Sequence, residues 1–324
     1  MALALVVLLA GFALADSMAG RALSDLVAAA LARLALPLLS LFDPGMMRAG
    51  TELRSPAGWA VRVSAVCDGH GLAISLAAGL VALRGGWRRL VVGLAAIQVF
   101  NLLRIIMLAL VLAHWPGAFD AVHAGVFPLL TVALLALCLL PLAQAGRLLL
   151  LSLPLMVLWL ALGDTLNAPL AGIANPILSA LPVPEIGRLA ERALGWSIGS
   201  NLLASVEGGQ VRLHVAPLRP ADFALGLPVI LAAVWMARRP WWLVVASAFI
   251  LLALVAAAFT TVLALADSHA PAVLLVPDGA GAFLPVDFAP PALLEPLVRL
   301  AQNALVHFNL LVLPLLIAAR PRPA

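Results

Sequence analysis

Three side chains that together could perform nucleophilic chemistry stand at separate apolar runs of the chain. Cys67 precedes one run, Arg104 lies inside a second and His123 opens a third. A thiol near a helix N-terminus and a cationic side chain has a lowered pKa and reacts as the thiolate. Histidine is the commonest acid or base for such chemistry. The three residue types therefore predict cysteine-based acyl transfer, provided that the fold brings them to one place.

Cys67 admits two other interpretations. It could bind a metal with His70, three residues further on, but two ligands are too few unless Asp68 or His123 joins them. Without a metal, we expect His70 to be a bystander at the membrane surface. Cys67 could also be a small hydrophobic residue where a helix starts; in either case Asp68 is the expected N-cap of that helix. We expect no metal and no cofactor. The second cysteine, Cys138, lies within an apolar run and is expected to be an inert, packed thiol.

Arg104 belongs to a polar stripe inside an apolar run. Gln98, Asn101 and Arg104 recur every three residues, so they lie along one side of a helix. Ionisable groups within a membrane span are expensive and are functional hypotheses by default. A snorkelling arginine is the alternative, but it would be expected closer to the helix end. We interpret Arg104 as a site residue and Asn101 as a candidate substrate-binding residue.

The composition is that of an integral membrane protein. Of 324 residues, 64% are hydrophobic and only 10% are charged, with a mean hydropathy of +1.12. A soluble domain has roughly 25% charged residues. All 19 basic residues are arginines, and many of them fall in short loops, which indicates membrane orientation and not nucleic-acid binding.

Apolar runs at eight places predict eight membrane spans, some of them short. They cover residues 2–15, 69–83, 90–113, 124–143, 148–163, 223–237, 241–266 and 304–319. We expect the first to be an uncleaved helix; a signal peptide is the alternative, but the basic start is lacking. The arginines of alternate loops place both termini in the cytoplasm; these are Arg84, Arg88, Arg89, Arg147, Arg238, Arg239, Arg320 and Arg322.

The segments predicted to face outward carry the other elements. Residues 21–42 are expected to form an amphipathic surface helix, because Leu23, Leu26, Leu31 and Leu34 recur at helical spacing and a ninth span there would reverse the arginine pattern. Residues 59–67 alternate as a strand does, with Trp59, Val61 and Val63 on one face. A later outward segment contains a helix-like piece, residues 185–196, and a hairpin candidate turning at Gly208 and Gly209.

The fold class predicted is an all-α polytopic membrane protein with small hairpin and amphipathic-helix segments outside the bilayer. Because the order of spans and outward segments repeats, we divide the chain into two four-span modules, 1–146 and 147–324. The second module has outward segments at 164–222 and 267–303. It also has His307 near its last span, but it lacks a cysteine, and we expect it to be catalytically inactive.

Three short motifs together resemble the exosortase/archaeosortase family, most closely the exosortase H branch. They are "VCDG" at 66–69, "NLLRI" at 101–105 and "VHAG" at 122–125. The resemblance covers nearly all of residues 1–146. Residues 147–324 more weakly resemble the membrane protein that accompanies exosortase H. Asp68 departs from the family pattern, in which Asn or Ser is expected after the cysteine, and a carboxylate there would raise the pKa of the thiol unless it is held elsewhere.

The resemblance implies a membrane cysteine transpeptidase or protease of the bacterial inner membrane, with its active site facing the periplasm. Cys67 would be the nucleophile, with Arg104 and His123 beside it. Its substrates would be secreted proteins with a C-terminal sorting signal: a short motif, of the IPTLxxWG type in the H branch, then a transmembrane stretch and a basic tail. An acceptor nucleophile would take the acyl group. The alternative function is a non-enzymatic transporter or assembly factor.

Overall fold

The computed structural model describes residues 1–64, 68–179, 186–192, 195–205, 211–218, 226–248, 273–277, 283–287 and 294–319. The helices are α1 (Ala2–Asp16), α2 (Met18–Ser40), α3 (His70–Ala82), α4 (Trp87–His114), α5 (Phe127–Leu139), α6 (Leu142–Ser179), α7 (Gly226–Ala237), α8 (242–248), α9 (Leu294–His307) and α10 (Leu313–Ala319). Single π-helical turns, Val122–Val126 and Phe308–Val312, precede α5 and α10.

The strands form two antiparallel sheets. The first contains β1 (Met47–Ala49), β2 (Glu52–Arg54) and β3 (Ala60–Arg62) in chain order. The second contains β4 (Ile186–Arg192), β5 (Gly195–Ser205), β6 (Val211–Leu218), β7 (Val273–Pro277) and β8 (Phe283–Asp287). In that sheet β5 pairs with β4, β6 and β7, and β8 pairs with β7.

Helix length separates three segments from the other apolar helices. Met18–Ser40, Trp87–His114 and Leu142–Trp159 are long and apolar enough to cross a membrane. The shorter apolar helices have 10–17 residues, and a 13-residue helix is only about 20 Å long. The described residues thus form a mostly helical chain with a membrane protein's composition. They do not support eight full-length spans, because five of the apolar helices are shorter than 18 residues and residues 249–266 of the predicted run 241–266 lie outside the described residues.

Helix α2 covers the segment that the sequence analysis placed on the outer surface. The helix itself is as predicted. Of the leucines that recur at helical spacing, Leu31 is buried, whereas Leu23, Leu26 and Leu34 are exposed. The face buried in the protein consists of small residues and leucines: Ala28, Leu31, Ala32, Ala35 and Leu39. Small side chains let α2 pack closely against α4, so the larger leucines face away from the protein.

The alternating segment before Cys67 forms the strand that its pattern predicts, over a shorter range. Val63 is buried, and Trp59 and Val61 pack against the same core, whereas Arg62 and Ser64 are exposed. The strand pairs with β2 through Leu53 opposite Val61. The sequence analysis did not predict β1 and β2. Residues 65–67 of the predicted strand lie outside the described residues.

One expectation for residues 164–222 is wrong, and their outward orientation stays a prediction. Helix α6 continues to Ser179, beyond the predicted run that ended at residue 163. The piece predicted as a helix, 185–196, contains strand β4 instead, because it pairs along β5 from Arg192 opposite Gly195 back to Ile186 opposite Ser200. The predicted hairpin corresponds to β5 and β6; its proposed turn at Gly208 and Gly209 lies outside the described residues.

One hydrophobic core joins the early helices to the last ones. Its buried members include Leu8 of α1, Leu76 of α3, Leu135 of α5, Ile230 of α7 and Leu316 of α10. A smaller core beside it lies between α2, the first sheet and the second half of α4. The division at residue 146 stays a prediction, but the packing is continuous across it.

The same helix-ending turn occurs once in each half. After α3, Arg84 has φ +56° and the Gly85 N–H donates to the Leu80 carbonyl at 2.7 Å. After α7, Arg238 has φ +49° and the Arg239 N–H donates to Val234 at 3.0 Å. This is the Schellman arrangement, here built with arginine in place of the usual glycine. The π-helical turns before α5 and α10 are a second repeated feature.

A substitution at Gly20 tests the tight connection between α1 and α2. A Cβ at Gly20 would overlap the backbone of Leu14 and Ala15, so Gly20→Ala should destabilise the protein by about 1–3 kcal/mol. Thermal unfolding of the purified protein in detergent measures the change. Gly86→Ala is the control, since a Cβ there meets nothing within 4 Å. Equal midpoints for the two variants would contradict this packing.

Candidate active site

The polar stripe of α4 faces the segment that follows Cys67. Gln98 Nε2 donates to the Asp68 carbonyl at 3.2 Å, and Asn101 lies against Gly69. Arg104 is the 18th residue of α4, about 26 Å from its start at 1.5 Å per residue. The predicted polar stripe of α4 therefore faces the beginning of α3 and the turn before α5.

Arg104 and His123 contact each other directly. One terminal guanidinium nitrogen of Arg104 lies 3.1 Å from His123 Nε2. An arginine only donates hydrogen bonds, so in this contact Nε2 accepts and the imidazole carries its proton on Nδ1. Aromatic rings hold both partners: Phe119 stacks on His123 at 5.6 Å, and Arg104 lies over Phe127 at 5.8 Å.

Asp68 is buried, with 2% of its surface exposed. Its Oδ1 accepts from the His70 backbone N–H at 2.8 Å and lies 2.7 Å from His70 Nδ1. Its Oδ2 accepts from the hydroxyl of Ser24 on α2. These partners hold the carboxylate at the helix N-terminus, which limits how far it can raise the pKa of a neighbouring thiol. Arg104 could also have held the carboxylate, but it contacts His123 instead.

The N-cap of α3 is Gly69 and not Asp68, which corrects the expectation. Gly69 has φ +84°, and a Cβ there would overlap the Asn101 amide. Only glycine combines this backbone conformation with such a close approach at low cost. Asp68 consequently caps the helix from one residue earlier.

The pKa of the Asp68 carboxyl is lowered from its ordinary value. Burial alone raises that pKa, but the hydrogen bonds from the His70 side chain, the His70 backbone and Ser24 together outweigh burial. The group is thus ionised in the folded protein. His70, which the sequence analysis set aside as a bystander, is the ion-pair partner of this carboxylate.

Cys67 lies outside the described residues, so its contacts with Arg104 and His123 stay a prediction. The same holds for a metal site at Cys67 and His70. Within the described ranges, no group of three or more His, Cys, Asp or Glu side chains could hold a metal ion. Cys138 is half-buried in α5 and packs against the main core.

A cavity of about 200 Å³ adjoins Arg104. It lies between the start of α3, the middle of α4, the start of α5 and the end of α9. Gly69, Asn101, Arg104, Phe127 and His307 are among its lining residues. Asn101, predicted to bind substrate, is 1% exposed, and neither atom of its amide has a hydrogen-bond partner among the described residues.

Two residues of this region were missed by sequence reasoning. Ser24 lies 44 residues before its partner Asp68, on a helix that was interpreted by its leucines alone. His307 was noted near the last predicted span but was assigned no place in the site. The available signal was its position at the start of an apolar run, which does not show that α9 packs against α1 and α3.

No protein-family model, curated protein or solved structure matches this chain.

Asp68→Asn should lower the thermal midpoint at neutral pH. A buried carboxylate that accepts several hydrogen bonds contributes about 1.5–3 kcal/mol through each charge-assisted bond. Because the folded pKa is lowered, this stability is present above the unfolded pKa of about 3.9 and is lost as pH falls through the folded value. The difference between the unfolding midpoints of wild type and variant should therefore begin to narrow below about pH 4 and close only below the folded pKa.

Glu52→Gln is the matched control. Hydrogen bonds from Arg54, and its charge, also lower the pKa of the Glu52 carboxyl, but this group lies on an exposed sheet surface. Exposed ion pairs contribute little, so its variant should unfold like wild type. A gap between wild type and Asp68→Asn that stays constant down to pH 3 would exclude an ionised, hydrogen-bonded Asp68.

Proposed function

We propose that the protein is a membrane cysteine transpeptidase that cleaves C-terminal sorting signals of secreted proteins and transfers them to an acceptor. The observation that carries the proposal is the Arg104–His123 contact of 3.1 Å beside a cavity that begins at Gly69, two residues after Cys67. The motif resemblance in the first 146 residues adds the substrate class.

The first step is attack by Cys67 on a peptide carbonyl. As the guanidinium of Arg104 moves from His123 Nε2 to the substrate carbonyl, the neutral imidazole takes the thiol proton at Nε2 as general base. The thiolate sulfur bonds to the carbonyl carbon, and the oxygen gains the negative charge. Arg104 then donates to this oxyanion, because a guanidinium beside the attacked carbonyl stabilises the charge that develops there.

The second half of the reaction releases and transfers the acyl group. The C–N bond breaks, and His123 returns the proton to the leaving amine, which leaves a thioester on Cys67. An incoming amine or other acceptor attacks the thioester and transfers its proton to His123, so the thiol is restored when the C–S bond breaks. Water in the same position gives hydrolysis.

The environment of Asp68 supports a reactive cysteine next to a carboxylate. A free negative charge beside the thiol would disfavour the thiolate. In this protein both carboxylate oxygens are engaged by Ser24 and His70, and the carboxyl group is buried. The charge is thus compensated on the side of α2 and α3, and Arg104 is available to the reacting groups.

For localisation we propose the inner membrane, with the site at its periplasmic face. Arg84 lies in the turn after α3, Arg88 and Arg89 lie in the first turn of α4, and Arg147 lies near the start of α6. Cytoplasmic helix ends and turns carry such an excess, and the site lies at the other end of α3. In this arrangement α2 lies on the outer surface, and the shorter apolar helices and residues 241–266 also cross the bilayer. This completes eight spans, with local thinning or flanking residues compensating for the short helices.

Cys67→Ala should abolish processing of a co-expressed secreted protein that ends in motif, apolar span and basic tail. Loss of a nucleophile costs on the order of 10³-fold or more, and Arg104→Gln should cost about 10²–10³-fold. Immunoblotting of the substrate measures its size. Cys138→Ala is the control cysteine and should process normally. Wild-type processing by Cys67→Ala would exclude this enzyme and favour the transporter or assembly factor.

Single cysteines test the orientation. Gly117 and Gly86 are exposed, and a Cβ at either meets nothing within 4 Å, so cysteine is tolerated at both. With Cys67 and Cys138 replaced by alanine, a membrane-impermeant maleimide should label Gly117→Cys in intact spheroplasts. Gly86→Cys should react only after the membrane is permeabilised. The reverse pattern would place the site in the cytoplasm.

A further inference from the structure

His307, the last residue of α9, lies in the cavity of the candidate site although it comes 184 residues after His123. Phe12 of α1 packs against its ring at 4.8 Å. A Cβ on Gly71 would overlap His307 Nε2, so this nitrogen points at the first turn of α3. The second half of the chain thus supplies a polar side chain, together with apolar ones such as Leu310, to a cavity whose other lining residues come from the first half.

The proton of His307 can be placed by its hydrogen bond. Nδ1 lies 2.8 Å from the Asn303 carbonyl oxygen. A carbonyl only accepts, so Nδ1 carries the proton and donates. In the neutral imidazole Nε2 therefore presents a lone pair, and it faces the cavity as a hydrogen-bond acceptor.

The opposite wall of the cavity presents hydrogen-bonding groups as well. Both amide atoms of Asn101 and the Nε of Arg104 are buried without a partner among the described residues. Leaving such a group unpaired is unfavourable by about 1–3 kcal/mol. Most of the remaining lining is apolar, including Leu72, Phe127 and Leu310. A small apolar cavity with a few convergent polar groups is the usual form of a binding site.

These groups match a peptide unit. A peptide bond offers one carbonyl acceptor and one N–H donor. Asn101 Nδ2 and Arg104 can donate to the carbonyl, and His307 Nε2 can accept from the N–H. A volume of about 200 Å³ corresponds to about seven waters at ~30 Å³ each, which is enough for one or two small residues of an extended chain.

We propose that this cavity is a peptide-backbone subsite in which His307 accepts a hydrogen bond from a substrate N–H near the scissile bond. His307 is thus a substrate-binding residue supplied by the second half of the chain. The proposal rests on the proposed function, whose substrate is a polypeptide. It assigns the second half a direct part in recognition.

The position of His307 in the fold agrees with this role. The π-helical turn Phe308–Val312 begins directly after it, as the π-helical turn Val122–Val126 contains His123. Single π-helical turns occur frequently at functional sites. Each half therefore has a histidine at a π-helical turn, and Arg104 and Asn101 line the cavity between them.

Steady-state kinetics with a fluorogenic peptide spanning the sorting motif tests the proposal. His307→Leu removes the acceptor and should raise KM roughly 10-fold or more, with kcat changed less than about threefold. His307→Gln keeps an acceptor near the Nε2 position and should restore most of the affinity. His114→Leu, at the exposed end of α4, should leave both constants unchanged. An unchanged KM in His307→Leu, or no rescue by glutamine, overturns the proposal.

Disulfide trapping gives a readout independent of turnover and of the stability of His307→Leu. In a background with Cys67 and Cys138 replaced by alanine, His307→Cys should cross-link to a substrate whose single cysteine lies within two residues of the scissile bond. His114→Cys should not. Absence of any cross-link from His307→Cys, while the protein retains its wild-type thermal midpoint, also overturns the proposal.

The two proposals fail in different ways. If Cys67→Ala still processes the sorting signal, the transpeptidase is excluded whatever His307 does. If Cys67→Ala is inactive but His307→Leu keeps its KM and His307→Cys does not cross-link, the enzyme stands and only the subsite is wrong.

Discussion

The buried carboxylate of Asp68 is the constraint around which the site is arranged. An isolated charge removed from water is unfavourable by several kcal/mol, so it persists only where donors surround it. The donors come from two helices, the Ser24 hydroxyl of α2 and the backbone and ring of His70 on α3. The carbonyl of the same residue accepts from Gln98 of α4. One residue thus fixes the relative positions of three helices, directly after Cys67.

This arrangement determines what Arg104 can do. If Asp68 faced the cavity, the guanidinium would pair with it, and a buried ion pair would neutralise the charge that an oxyanion needs. Because Ser24 and His70 engage the carboxylate, Arg104 contacts a neutral histidine at 3.1 Å and keeps a buried Nε without a partner among the described residues. A negative charge that develops in the cavity is therefore the strongest acceptor within its reach.

The sequence predicted the parts of the site that depend on local spacing. Gln98, Asn101 and Arg104 face one direction because a helix places residues three apart on one side. Val63 is buried and Arg62 is exposed because a strand alternates. The pairing of Ser24 with Asp68 spans 44 residues, and no local period encodes it. Strand β4 was mistaken for a helix because its pairing with β5, and not its own pattern, determines its conformation.

The position of His307 also could not be predicted from local sequence patterns, and it shows what the second half of the chain contributes to the cavity. Its approach to Gly71 depends on α9 packing against α1 and α3, which is a tertiary property. If the two halves were separate proteins, they would have to associate before His307 could line the cavity. That association would cost translational and rotational freedom. In one chain this association is intramolecular, and its effective concentration is set by the connecting segment. A cavity lined by both halves therefore gives a physical reason for their presence in a single polypeptide: the residue proposed to accept from a substrate backbone is then always near the residues proposed to act on its carbonyl.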